Sequence, residues 1–333
     1  MEWGRASRGR RASVALAALC ALACSRQADE QPAPDDSAAS VTPAAVSVSQ
    51  PPEPLDSAAP PVPPAPPEPE PDAKRYPWLG NADLKRPEAS ESLSARFPPP
   101  PSYERVQVAE GSFGAWLRDL PLSPPGTPVV NYKGEELVSG SDQYLGAVVA
   151  IDVGANDLQT STDVLLRLDA EWRFSTGRPL DYRAATGLSM PFDRWLRGDR
   201  MKPMGAAVVW IRSARPAEPS HAALRAYLDA VYTWANSTSL AAQSSVVPPA
   251  ELQPGDFLMH PGKPNHAVLL LDLAKNPRGE WVALLGRALN PAQSFHVLKL
   301  GGSQAWFSVD PNAETLLTPG TDPFPWEQLR RLP

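Results

Sequence analysis

The stretch "GDFLMHPGKPNHAVLLLDLAKNPRGEWVALLGRALN", residues 255–290, decides the architecture. Phe257 to His260 reads as a short strand, and the aliphatic run Ala267 to Ala274 as a long one that follows a Pro- and Gly-rich loop. "KNPRGE" supplies the Asn, Pro and Gly that turn a hairpin, so Trp281 to Leu289 returns beside the long strand. Two further β-rich segments, "SFHVLKL" and "AWFSV", follow. A sheet therefore gathers late in the chain, and His266 stands where a loop gives way to its buried strand.

Upstream the pattern is mixed. "YERVQV" reads as a strand, Ser112 to Leu120 as a short helix, and "TPVVNYKG" and "YLGAVVAIDVG" as strands bounded by Pro and Gly. From Asp157 to about Thr176 the period turns helical, with Val164, Leu165, Leu168 and Trp172 as the apolar stripe. "GAAVVWI" is another strand. Ser220 to Ala235 is an amphipathic helix with Leu224, Leu228, Val231 and Trp234 inward. Helices that precede a mostly antiparallel sheet make an α+β fold, and residues 76–333 are long enough for one sizeable core.

The first 75 residues differ in kind. Arg5, Arg8, Arg10 and Arg11 precede "ASVALAALCALAC", which is apolar for only about a dozen residues where a bilayer span needs roughly 20. A basic start, a short apolar run and small residues before a cysteine make residues 1–23 a bacterial secretory signal. "ALAC" resembles the lipobox of bacterial lipoproteins, which implies lipidation at Cys24; an ordinary cleaved signal is the alternative. Ser25 after the cysteine implies an outer-membrane lipoprotein. Residues 24–75 are Pro, Ala and Glu with few large apolar side chains, a disordered tether that reaches on the order of 150 Å at about 3.1 Å per residue.

The 333-residue chain carries a net charge of −6. Its first 23 residues hold four Arg against Glu2, or +3, so the processed chain stands at −9. No basic cluster survives to displace counterions, which excludes nucleic acid as a partner. Cys20 and Cys24 are the only two cysteines. The globular part therefore has neither disulfide nor catalytic thiol.

"GDFLMHPGKPNHAVLLLDLA" resembles the strand-borne histidine segment of NlpC/P60 and related papain-like cell-wall hydrolases. "RFPPPPSYERV", "GSFGAWLRDLPL", "DLQTSTDVLLRLDAEW", "TGLSMPFDRWLRGDR" and "LNPAQSFHVLKL" resemble, over most of residues 95 to 332, the bacterial family called domain of unknown function 4846. The resemblance to the hydrolases implies a papain-like arrangement with a cysteine in the first turn of a helix, where amide donors and the macrodipole favour a thiolate, and a histidine on a following strand.

Ser161 stands at that helix start, 4, 7 and 11 residues ahead of Leu165, Leu168 and Trp172, where the family pattern places a cysteine. The helix dipole is worth about 0.3 to 2 kcal/mol, enough to ionise a thiol near neutrality but not a hydroxyl. A serine needs His266 as an oriented base. Thr160 and Asp163 also fit a capping box, which leaves Ser161 a helix-capping role as the alternative. Asp272 shares the strand face of His266 by alternation, yet six residues place it roughly 20 Å away. The hairpin sets position 266 against about 287 or 288, Arg287 or Ala288, and neither accepts a hydrogen bond usefully. Asn290 substitutes only if the register slips by about two residues.

Two function classes stay open. The first is an envelope-tethered papain-like domain that has lost its nucleophile and binds peptidoglycan or cell-wall peptides, with Arg194, Trp195, Arg197, Arg287 and Asn290 as candidate ligand-binding residues. The second is a serine-dependent amidase or peptidase that uses Ser161 and His266. A purely structural lipoprotein is the remaining alternative. His260, His266 and His296 lack the spacing of a zinc site, and no phosphate-cradling or dinucleotide fingerprint occurs, so neither metal nor cofactor is expected.

Overall fold

The computed structural model describes residues 72–260 and 266–333. The chain divides into two units, 1–64 and 65–333, and the described residues all belong to the second. The expected signal segment, Cys24 and the tether up to residue 71 lie outside the described residues. From Tyr76 onward the chain is packed. Tyr76 donates through its hydroxyl to Trp116 O at 2.9 Å, and Trp78 Nε1 donates to Ala150 O at 2.8 Å, with both rings buried.

The fold is mixed helix and strand around one antiparallel sheet. Among the described residues that sheet has nine strands. In chain order they are β1 (Glu104–Arg105), β2 (Leu145–Val148), β3 (Ser245–Val246), β4 (Phe257–Met259), β5 (Ala267–Lys275), β6 (Trp281–Arg287), β7 (His296–Leu298), β8 (Trp306–Val309) and β9 (Leu329–Arg331). Their lateral order is β3-β9-β4-β5-β6-β7-β2, with β8 on the free stretch of β6 and β1 on the end of β5. β5 is an unbroken apolar run because both sheet faces are covered. Ala267, Leu269 and Leu271 join the helical side, while Val268, Leu270 and Leu273 pack with Phe324, Trp326 and Leu316 on the other.

A bulge between Leu270 and Asp272 reverses the alternation along β5. It turns Asp272 away from the face that strict alternation assigns to it. The buried carboxylate instead takes Arg105 Nε at 2.6 Å and Arg118 Nε at 2.7 Å, pinning the chain's early elements to the sheet. Gly286 lacks a side chain for a packing reason, since a Cβ there would lie 2.6 Å from the Phe295 ring.

Six helices among the described residues are α1 (Leu93–Arg96), α2 (Phe113–Arg118), α3 (Asp163–Ser175), α4 (Phe192–Leu196), α5 (His221–Trp234) and α6 (Ser237–Gln243). Ser112 and Ser220 cap α2 and α5 by accepting Ala115 N–H and Ala223 N–H. α6, capped reciprocally by Asn236 and Ser239, has no counterpart in the sequence reading. "YERVQV" yields only the two strand residues of β1, paired with Ala274 and Lys275. "GAAVVWI" forms the second arm of a separate hairpin, Asp199–Met204 with Ala207–Arg212. Trp234, expected inward on α5, is only partly buried.

Candidate functional site

α3 meets the sheet at an unfinished edge. β6 makes its last pairing with β5 at Leu269↔Gly286, while β5 starts two residues earlier, at Ala267. Backbone groups alternate along β5: the carbonyl of His266 accepts His260 N–H at 2.8 Å on the β4 side, so the N–H of Ala267 faces the side where the ladder has run out. Ser161 Oγ takes the missing acceptor's place, receiving the Ala267 N–H at 3.1 Å. The serine is 0 % exposed.

The helix begins at Asp163 rather than near Asp157, and Ser161 lies in the turn before it. Thr160 opens that turn, its carbonyl accepting Val164 N–H at 3.1 Å. Asp163 Oδ2 reaches back to accept Thr160 N–H at 3.3 Å and Thr160 Oγ1–H at 2.7 Å, the acidic half of a capping box. Burial pushes the Asp163 carboxyl up to about 7, outweighing both of those hydrogen bonds.

His266 keeps different company. No hydrogen bond joins its ring to Ser161 Oγ among the described residues, and its buried Nδ1 has no partner. Burial lowers its pKa, Arg287 and His260 lower it further, and Asp322 opposes them. These groups belong to the sheet face away from α3: His260 stacks on Phe324 at 4.6 Å, and Arg287 Nη1 donates to Pro319 O at 2.6 Å. Ser161 thus reaches the backbone beside His266, whereas Arg287 and His260 bear on its ring.

The hairpin register differs from the expected one. It closes at Lys275↔Trp281 rather than two residues earlier, and the bulge then takes one residue back. The ladder therefore sets Arg287 level with Val268, and position 266 runs out toward Leu289. Asn290 is exposed beyond the strand end. Arg287, by contrast, is only 8 % exposed and sits across from the buried His296. Burial holds His296 down to about 4, with Arg287 adding to the effect and the Nδ1 contact to Ser294 O opposing it.

The other candidates lie on α4 and just past it. Arg194 pairs with Asp199 and faces the Trp210 ring, Trp195 packs against Tyr227 with Arg200 at 3.8 Å over its ring, and Arg197 is exposed. No described contact joins them to Arg287 or His266. Clefts of about 730 Å³ beside Tyr103, Glu280 and Trp281, and of about 620 Å³ beside Trp116 and Trp172, involve neither Ser161 nor His266. No group of three or more His, Cys, Asp or Glu side chains fit to hold a metal occurs among the described residues.

Sequence reasoning missed the most extensive polar constellation. From Asp163 to Trp172 α3 is buried all round, charged residues included. Arg167, fully buried, donates to Glu171 at 2.7 Å, Gln159 at 2.9 Å and Asp152 at 2.6 Å. Arg225 adds a second contact to Asp152 at 2.9 Å, and His221 lies 2.9 Å from Glu171. Burial would raise both carboxyls, but the arginines overrule it and hold Asp152 and Glu171 low. The signal was present in the i, i+4 pair Arg167 and Glu171, though nothing local says that such a pair is enclosed.

These features define a helix-and-antiparallel-sheet domain in which Ser161 meets the histidine's strand through the backbone amide of Ala267. The family model described as "Domain of unknown function (4846)" matches residues 93–331, and the chain belongs to that family. No curated protein and no solved structure matches it.

Proposed function

We propose that this is a binding domain of papain-like ancestry, held at the cell envelope through Cys24, whose hydrolytic site has lost its nucleophile. The observation that carries it is the state of Ser161: fully buried, with its oxygen engaged by the Ala267 N–H and no bond to the imidazole. A general base activates a hydroxyl it can reach, and a buried oxygen that completes a strand edge is neither reached nor free to attack. The chain offers no substitute thiol, since no cysteine follows Cys24. Ancestry is supported by element order and by the segment before α3 abutting the start of the histidine's strand. Cell-wall peptides or peptidoglycan are the proposed partners. Purified full chain is expected to leave peptidoglycan fragments intact; turnover that disappears in Ser161→Ala would overturn the proposal.

The serine-hydrolase alternative draws on one observation, the adjacency of Ser161 to the residue after His266. It requires labelling of Ser161 by a fluorophosphonate probe. Metabolic incorporation of a fatty acid, lost in Cys24→Ala, tests the anchor.

A further inference from the structure

Three arginines are buried among the described residues, and two have carboxylate partners: Arg167 has Asp152 and Glu171, and Arg225 has Asp152. Arg287 has none. Its Nη1 is committed to the Pro319 carbonyl, and its Nε is buried without a partner. What remains is the Nε/Nη2 edge of the guanidinium, two parallel donors with the spacing of carboxylate oxygens. On the same sheet face, two residues along the strand from the level of Arg287, stands His266, whose Nδ1 is also buried without a partner among the described residues.

A buried cation without a counter-ion is costly, and a second group facing it unpaired compounds the cost. His260 and Asp322 bear on His266, His296 lies across the ladder from Arg287, and burial alone acts on the Arg287 guanidinium, which is lowered to about 10. Arg287 is 8 % exposed and His266 is partly exposed as a residue, so both border solvent. One fixed positive charge facing a neutral imidazole suits a monoanion, whereas a phosphate dianion would leave an excess negative charge in the same enclosure.

We infer that the Nε/Nη2 edge of Arg287, together with His266 Nδ1, is a binding site for a single carboxylate, such as the C-terminal carboxylate of a peptide. This deepens the binding function proposed above and rests on it. The site lies on the opposite sheet face from Ser161, so it needs no serine chemistry.

The test uses the full chain, with His266 imidazole resonances and melting temperature as readouts, titrated with acetate, N-acetylalanine, N-acetylalanine amide and inorganic phosphate. The two carboxylates are expected to shift the His266 signals saturably and raise the melting temperature, N-acetylalanine more tightly if a peptide terminus is the natural ligand. The amide and phosphate are expected to do neither. Arg287→Gln should weaken the response at least tenfold. Should that variant fail to fold, the contrast of N-acetylalanine with its amide on the unaltered chain decides alone. Equal responses to acid and amide, a stronger response to phosphate, or an undiminished response in folded Arg287→Gln would each overturn the site. Ser161-dependent turnover would overturn the non-catalytic reading instead, and the two failures are separable because they are read in different assays.

Discussion

Replacing Ser161 by alanine removes one acceptor and leaves one buried donor. The Ala267 N–H lies beyond the last β5–β6 pair, so no strand carbonyl stands ready to receive it. An unsatisfied buried N–H costs about 1–3 kcal/mol, and since alanine also relieves the burial of a hydroxyl, the net loss belongs in the lower half of that range. With a urea slope of ~3 kcal/mol/M for a domain of this size, the unfolding midpoint should fall by roughly 0.3–0.7 M without a change in slope. Amide hydrogen exchange gives the sharper measurement: the Ala267 N–H should exchange about 5- to 30-fold faster in Ser161→Ala, while the Leu270 amide, bonded to Asp256 O, keeps its protection relative to the global change. Unchanged exchange at Ala267 together with an unchanged midpoint would refute the strand-closing role assigned to this hydroxyl.

Arg167→Met should destabilise the domain by about 3–5 kcal/mol in denaturant unfolding, because Asp152 and Glu171 lose their shared partner in an enclosed site; a loss under ~1 kcal/mol would contradict the pairing. Asp163 has a folded pKa of about 7, above its unfolded value, so its contribution to stability is complete below about pH 4 and is lost as pH rises toward 7. Asp163→Asn should therefore gain on the unaltered chain between pH 4 and pH 8, and parallel stability profiles would count against the buried carboxyl. His296 runs the other way: its folded pKa of about 4 lies below the unfolded 6.5, so its contribution is present above pH 6.5 and lost as pH falls to 4. His296→Gln should flatten that acid limb in a thermal melt series. Truncation to residue 93, where the family match begins, removes the buried Trp78 and Tyr76 and should cost on the order of 3–5 kcal/mol for each; full melting stability in the shortened chain would contradict that packing.

Residues 255–290 were legible as a strand, a longer strand and a hairpin because apolar runs and turn residues are local properties, and the structure places β4, β5 and β6 there. The caps of α2 and α5 were legible for the same reason: Ser112 and Ser220 satisfy donors three residues away. The site was harder, because its members are joined by groups far apart in sequence. Chain position told that Ser161 stands at a helix start and His266 at the mouth of a strand, but not that the hydroxyl would accept from a backbone amide 106 residues on. Nor could alternation foresee the bulge at Leu270 and Asp272, which turns the aspartate toward two arginines.

The sequence by itself determined the uneven composition, the absence of any thiol beyond Cys24 and an α+β order of elements, since each follows from residue identity and short-range period. Only the tertiary structure decided which charged side chains are enclosed. Arg167 and Arg287 are the same residue type in similarly apolar text, yet one is ringed by carboxylates and the other is left with a lone carbonyl. Burial and pairing are fixed by what the rest of the chain packs around a residue, and that information resides in contacts rather than in neighbours.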